Sequence, residues 1–401
     1  MSSSIGERYS GPEGGCEMSE GARRYDIDWL RVFAMLGIFL LHATHLFDEG
    51  SDWHLVNGDQ STLVLVFRGL IDMWAVPLFF VLSGFGAWYA LKKRSGGRFL
   101  VERARRLLIP LYTIGTFLIV LPQIYFDATT NGFQGGFWEA VGQSLGSFRF
   151  TLTWPGLTNL FLGHLWFLQF LFLVSVLVLP LLLFLKSDLG QRFVGRVAGW
   201  CSHRGGIFLL ILPLAAARIA LMGFVLGQHT WAYLVFYVVL FLIGYMVAAD
   251  GRFTESIKRN GWIALVLGIV SFAVQGFLIL KQDYQMFHEP FSTVFVLYEI
   301  TLSIGIWGLI VFLMSLAAKH WNRPSRALAY ANEAVLPFFL FHQTVILSIG
   351  WFAIRWDLHL IWKLIIVTVA SFIVTLGLYE ALVRRFNVVR FFFGMRPRKK
   401  S

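Results

Sequence analysis

The residues of this chain best suited to chemistry in an apolar setting lie in one stretch, DIDWLRVFAMLGIFLLHATHLFD, residues 26–48. An apolar anchor needs no ionisable group, yet this run begins with Asp28 and Arg31 and places His42 and His45 near its far end. On a helix Arg31 and His42 share a face, with Cα atoms roughly 16 Å apart along the axis, and Asp28 and His45 extend the stripe by a turn at each end. Ionisable side chains inside hydrocarbon are costly and are usually kept for function. Histidine gains and loses a proton near neutral pH, so His42 can act as general base on a hydroxyl or as a nucleophile that briefly carries an acyl group. Plainer roles exist: Arg31 can snorkel to the interface beside Asp28 as an i,i+3 ion pair, and His42 can make an ordinary helix–helix hydrogen bond. Two histidines one turn apart on the stripe of Arg31 favour the functional reading. His42, His45, Asp48 and His54 are also close in sequence, but helical HxxH spacing alone is not a recognised ligand set, and no metal is expected.

A second stretch, VERARRLLIP at 101–110, puts Arg103 and Arg106 one helical turn apart. Paired guanidinium groups on one face hold phosphates bidentately, although basic residues at the inner end of a span are expected in any case. Four more ionisable residues fall in or beside apolar runs. Asp72 and Glu299 are candidate carboxylates to orient His42. His164 opens a span at the outer surface, as an interface residue or an acceptor contact, and His342 lies near mid-membrane, as a buried hydrogen bond or part of an acyl channel. Arg68 and Asp72 are four apart on one helix, so a mutual ion pair is the default expectation. In FFVLSGF, Ser83 and Gly84 do not form a nucleophile elbow, since no strand precedes them; close helix packing explains them better. Pro77 is expected to kink the second span.

The elements that must position these groups are membrane helices. Of 401 residues 57% are hydrophobic and only 14% charged, against about a quarter charged in ordinary soluble domains. Apolar runs of span length occur at about 29–48, 65–91, 107–127, 164–186, 207–227, 231–249, 262–280, 292–317, 333–354 and 360–383. If the N-terminus is cytoplasmic, the inner segments hold 27 basic residues and the outer loops and last-span start only 4. That bias predicts an all-α, polytopic bundle of about ten transmembrane helices with both termini cytoplasmic, and it accounts for the net charge of +11 without nucleic acid. Residues 1–24 are expected to be a disordered cytoplasmic tail, 25–386 the membrane domain and 387–401 a basic cytoplasmic tail. Cys16 and Cys201 make no disulfide framework. The long outer loop at 128–163 and the shorter one at 48–61 are rich in aromatic, hydroxyl and amide side chains, which suit carbohydrate contact.

The motifs then resemble a known family. DWLRVFAMLGIFLLH is similar to the opening helix of the acyltransferase 3 family of integral membrane acyltransferases, with its Arg-x10-His signature at Arg31 and His42. PLFFVLSGF (77–85), ERARRLLIP (102–110), GHLWFLQFLFLVSVLVLP (163–180) and PFFLFHQTVI (337–346) follow in family order. The finer similarity is to a subgroup resembling the periplasmic glucan succinyltransferases, whose Trp-His element after the first helix is matched here by DWHLVN (52–57).

What the resemblance implies is acyl transfer from cytoplasmic acyl-CoA, acetyl-CoA or succinyl-CoA, to a hydroxyl of a glycan or similar acceptor at the outer face of a bacterial inner membrane. Arg31 and His42 are then the catalytic residues, and Arg103 and Arg106 bind the donor. Asp28, His45, His54, Asp72, His164, Glu299 and His342 are substrate-contacting or supporting candidates. The extended pantetheine arm is on the order of the ~16 Å between Arg31 and His42, so the thioester can reach His42 while the nucleotide stays inside. Membrane lipids are the surroundings, and no nucleic acid partner is expected. The rival reading is a transporter or flippase for a glycan or lipid-linked sugar. It needs a polar path but no CoA site, and no internal repeat of the transporter kind is visible. Acyl group, acceptor, oligomeric state and the choice between base and acyl-carrier roles stay open at this level.

Overall fold

The computed structural model describes residues 23–51, 53–146, 163–225, 230–281 and 289–398. The tail at 1–22, Asp52 of the Trp-His element, most of the later half of the 128–163 loop and the last three residues lie outside these. In chain order the helices are α1 (Tyr25–Thr44), α2 (Thr62–Asp72), α3 (Ala75–Lys93), α4 (Gly96–Pro110), α5 (Leu121–Thr130), α6 (Phe137–Gly146), α7 (Trp166–Lys186), α8 (Asp188–Ser202), α9 (Ile211–Leu221), α10 (Trp231–Ala249), α11 (Gly251–Lys281), α12 (Thr293–His320), α13 (Arg326–Ala353), α14 (Leu360–Leu378) and α15 (Asn387–Phe392). No strand occurs among the described residues; an isolated bridge between Asp48 and Ser61 ties the ends of the first loop.

Helix α1 sits at the centre. Leu30, Ala34, Ile38, Phe39 and Leu41 are all buried, and the helix touches α2, α3, α12, α13 and α14. Phe33 and Leu36 are the exposed apolar side chains of this helix, and most of the rest of its surface is covered by these neighbours. Helices α11 and α14 lie at the periphery: Val266, Ile269 and Val270 on the first, and Ile361, Ile365, Val369 and Ile373 on the second, are exposed. These are lipid-facing surfaces of a helical membrane bundle.

Among the described residues eight helical stretches are long and apolar enough to cross a membrane, nine if a bent pair counts as one span. The second runs from Thr62 to Lys93 and breaks at Met73–Trp74. The cause is Pro77, which lacks an N–H for the carbonyl of Met73 four residues back and whose ring crowds that carbonyl. The bent pair is α4 with its continuation, meeting α5 at 48°. Pro110 ends the α-helix, residues Leu111–Ile119 continue as a π-helix, and Thr113 and Thr116 return their hydroxyls to the carbonyls of Ile109 and Leu111. The run at 207–227 departs from expectation. It folds as Gly206–Leu221, a 3-10 turn leading into α9, followed by a turn. At 1.5 Å per residue that helix is about 24 Å long, short of the ~30 Å hydrocarbon core.

Helices α3 and α10 approach backbone to backbone. A Cβ on Gly84 would lie 1.9 Å from the Phe241 carbonyl oxygen, and one on Gly244 would lie 1.9 Å from that of Val81. Here Gly84 serves helix packing of the small-residue kind. The loop after α1 folds back on the bundle: Asn57 N donates to Leu46 O at 2.7 Å and Ser61 N to Phe47 O at 2.9 Å. The buried Lys363 of α14 donates to Asn57 Oδ1 at 3.1 Å and pins the loop to the last span.

Candidate active site

Three histidines distant in sequence meet near the end of α1. His42, in the last turn of α1, has its Nδ1 3.0 Å from Nε2 of His342 on α13. His342 Nδ1 donates to the Phe339 carbonyl at 2.7 Å. His164 arrives on the 3-10 turn Gly163–Leu165 ahead of α7 and donates from Nε2 to the carbonyls of Phe339 and Leu340, at 2.9 and 3.2 Å. Its Nδ1 accepts from Gln123 Nε2 at 3.2 Å. Gln123 also donates to Thr344 Oγ1 at 2.8 Å and accepts from Gln343 Nε2 at 3.1 Å. Gly163 makes the approach possible: its φ is +48°, and a Cβ there would lie 2.3 Å from Gln123 Oε1. The rings of His42 and His164 each lie 5.0 Å from that of His342, centroid to centroid.

Trp53 caps this cluster, its ring 6.0 Å from His42 and 5.2 Å from His45 in near-parallel stacking. His54, next in the chain, pairs with Asp127 at 3.2 Å, which ties the loop to α5. His45 sits 3.7 Å from Asp48.

At the opposite end of α1 lies a cavity of about 1200 Å3. Its mouth is lined by arginines from three parts of the chain: Arg23 and Arg31 at the start, Arg103, Arg105 and Arg106 on α4, and Arg390 and Arg396 near the C-terminus. Arg31 is held by Asp28 at 2.8 Å, and Asp28 also takes Arg23 at 2.7 Å. Arg103 donates to the Ser83 carbonyl at 3.2 Å. Glu333 holds Arg390 at 2.7 Å and Glu102 holds Arg396 at 3.0 Å. Arg31, Arg103 and Arg106 are close enough to repel one another, a field that an anion relieves. The inner walls are apolar: Met35, Phe79, Phe167, Leu168 and Phe339. The Phe339 ring is 5.3 Å from His164 and 5.6 Å from His342. The cavity therefore runs from a cationic mouth to a wall that carries the histidine cluster on its back.

Several expected residues take other places. Glu299 is buried in α12 against Arg218 of α9, Oε2 to Nε 2.5 Å, and the same guanidinium lies 5.0 Å from the Phe236 ring. It is committed to that cation and does not orient His42. Asp72 is not hydrogen-bonded to His42 either; the neighbour of His42 is an imidazole. Arg68 pairs with Asp48 at 2.5 Å rather than with Asp72, because the folded-back loop delivers Asp48 beside α2. Among the described residues no group of three or more His, Cys, Asp or Glu is arranged to hold a metal ion.

Trp53 belongs to the Trp-His element noted in the sequence, whereas Gln123, Phe339, Arg390 and Arg396 were not singled out there. Gln123 left a signal, an amide inside the apolar run VLPQIYF. The arginines of the C-terminal segment left none, since basic residues are expected on that side.

A family model described as an acyltransferase domain matches residues 24–380. The chain belongs to the acyltransferase domain family. This acyltransferase is similar to Glucans biosynthesis protein C of Escherichia coli O81 (strain ED1a) and of Escherichia coli (strain K12), each 23% identical over 347 residues, which cover 82% of this chain and 83% of the relative. No solved structure matches it significantly. With its apolar helices, the chain is a membrane acyltransferase, and all five sequence motifs fall within the matched region.

Proposed function

We propose that this acyltransferase moves an acyl group of the acetyl or succinyl class from acyl-CoA to a hydroxyl of a glycan, with the donor in the arginine-lined cavity and the acceptor at the histidine end. The observation that carries the reading is the cavity itself, which runs from an arginine-lined mouth to an apolar wall at Phe339, whose ring lies against His164 and His342. The glycan acceptor is supported by similarity to proteins named for glucan biosynthesis and by the aromatic Trp53 beside the cluster. Arg23 near the N-terminus and Arg390 and Arg396 near the C-terminus line the same cavity mouth, which supports an orientation with both termini and that mouth facing the cytoplasm, where CoA is found, in the inner membrane of a bacterium.

Arg103 and Arg106 hold the CoA phosphates in this scheme, and Arg31, fixed by Asp28, steadies the donor deeper in. The pantetheine arm follows Met35 and Leu168 inward. The acceptor hydroxyl gives its proton to His42 while its oxygen attacks the thioester carbonyl. The C–S bond breaks, and the departing thiolate takes that proton from His42, leaving ester and CoA thiol. On the acyl-carrier route a bare His42 nitrogen attacks the thioester carbonyl and the C–S bond breaks, the departing thiolate taking the imidazole N–H proton; the acceptor oxygen then takes the acyl group as the N–acyl bond breaks, and its proton restores the imidazole. Pure transport of a glycan has no use for a cluster of arginines around a donor-sized cavity.

The test uses purified protein in nanodiscs with radiolabelled acetyl-CoA and succinyl-CoA, wild type beside His42→Ala. Thioester cleavage by wild type and its loss in the variant are expected, and label trapped on the protein marks the acyl-carrier route. If neither donor binds nor turns over, with glycans supplied, the donor assignment is wrong and transport becomes the better reading.

A further inference from the structure

Resting on the acyl-transfer reading above, we propose that His342 is a positioning residue: through the Phe339 carbonyl it locks His42 in the tautomer whose Nε2 is bare and able to take the acceptor proton.

One atom in this chain of contacts has no choice of role. A backbone carbonyl oxygen only accepts, so the 2.7 Å contact between His342 Nδ1 and Phe339 O requires hydrogen on Nδ1. A second ring, His164, donates to the same carbonyl at 2.9 Å. A neutral His342 with hydrogen on Nδ1 has a bare Nε2, and that nitrogen faces His42 Nδ1 at 3.0 Å. The contact is a hydrogen bond only if His42 Nδ1 supplies the hydrogen. His42, neutral, then carries its lone pair on Nε2.

The alternative is a His342 cation donating from both nitrogens, which would turn His42 round. The surroundings argue against it. His342 is fully buried, between two other imidazoles at 5.0 Å and the rings of Phe338 and Phe39 at 6.2 and 6.4 Å. Among the described residues no carboxylate is hydrogen-bonded to any of the three rings; Asp48, Asp127 and Glu299 are engaged with Arg68, His54 and Arg218. A buried cation there would lack any compensating charge. The device does with a neutral imidazole and a peptide carbonyl what a buried carboxylate does for the histidine of a Ser-His-Asp triad, fixing tautomer and orientation. It adds no charge to the hydrocarbon.

Ring-15N-labelled histidine provides the test in nanodiscs, with the His42 signals identified by their loss in His42→Gln. Wild type is expected to show His42 protonated on Nδ1 and bare on Nε2. His342→Leu removes the imidazole acceptor and leaves the His42 ring only the Ile38 carbonyl one turn back on α1, so the share of His42 protonated on Nδ1 is expected to fall. In donor turnover kcat should fall ~100-fold or more while KM for the donor moves little; a wrong tautomer in a triad costs about 10^4. His342→Gln offers an amide oxygen near the position of Nε2 and should keep the Nδ1–H form and recover most of the rate. Equal melting of the two variants separates the tautomer effect from misfolding. A wild-type His42 protonated on Nε2, or a His342→Leu protein with unchanged tautomer and kcat, overturns the proposal. Because the spectra need no substrate, they judge the tautomer even if the donor assignment fails.

Discussion

The glycine crossing of α3 and α10 allows a sharp test of how packing sets the arginine-lined cavity proposed to hold the donor. Gly84→Ala adds one methyl group to a position where it would sit 1.9 Å from the Phe241 carbonyl oxygen and 3.0 Å from the Tyr245 nitrogen. The close partners are backbone, which cannot rotate away, so the helices must part by roughly 1–1.5 Å to reach a normal C–H···O distance. Overpacking of this kind costs ~1–3 kcal/mol. The displacement also reaches the cavity, since Leu82, Ser83 and Gly86 on α3 line it and the Ser83 carbonyl holds Arg103 at 3.2 Å. A 1 Å misplacement of binding groups can cost ~100-fold in rate. The assay is thermal unfolding followed by the fluorescence of the 15 tryptophans, at one scan rate, beside donor turnover. Gly86→Ala is the control: a Cβ there meets nothing within 4 Å, so it should melt like wild type. If Gly84→Ala melts as hot as Gly86→Ala with full turnover, the crossing is slack and the reasoning from backbone contact is wrong.

Two further outcomes follow from charges. Arg103→Ala and Arg106→Ala should each raise KM for the CoA donor by ~10-fold or more, the scale of a lost hydrogen bond to a charged group, and Arg106→Lys should recover only part of this because it lacks the guanidinium fork; an unchanged KM in both alanine variants would remove the phosphate role. Arg218→Met strands the buried Glu299 and should cost ~3–5 kcal/mol, whereas Arg218→Met with Glu299→Leu should regain most of the loss, a difference that a double-mutant melting cycle measures.

Much of the bundle was legible because hydrocarbon imposes a simple rule on sequence: spans must be apolar and about 20 residues long. The stripe of Asp28, Arg31 and His42 was legible for the same reason, since any polar group breaking the rule stands out. The arginine pair could be noticed but not weighed, as basic residues gather at that end of spans regardless. What could not be read was pairing across the chain. His42 and His342 are 300 residues apart and Arg218 and Glu299 81, and nothing local joins them. Arg68 shows the cost of local reasoning: Asp72, one turn away, was the obvious partner, and the loop brought Asp48 instead. The helix at Gly206–Leu221 fell short because hydropathy registers composition and not where the backbone turns.

The wall formed by Phe339 and the rings behind it has an electrical consequence. A membrane potential falls mainly across dry protein and lipid, and little across a wet, ion-bearing cavity. With water and ions filling it, a chamber of about 1200 Å3 that ends on this wall would concentrate the field within a few side chains. Each elementary charge carried through such a barrier works against about 2.3 kcal/mol per 100 mV. With the donor bound as proposed, its phosphates remain in the arginine mouth at no electrical cost, and a neutral acetyl group passes the barrier without voltage dependence. A succinyl group carries its carboxylate through the field. On the proposed acyl-transfer reading the same partition doubles as an insulator, and turnover with the two donors should differ in its response to an imposed potential.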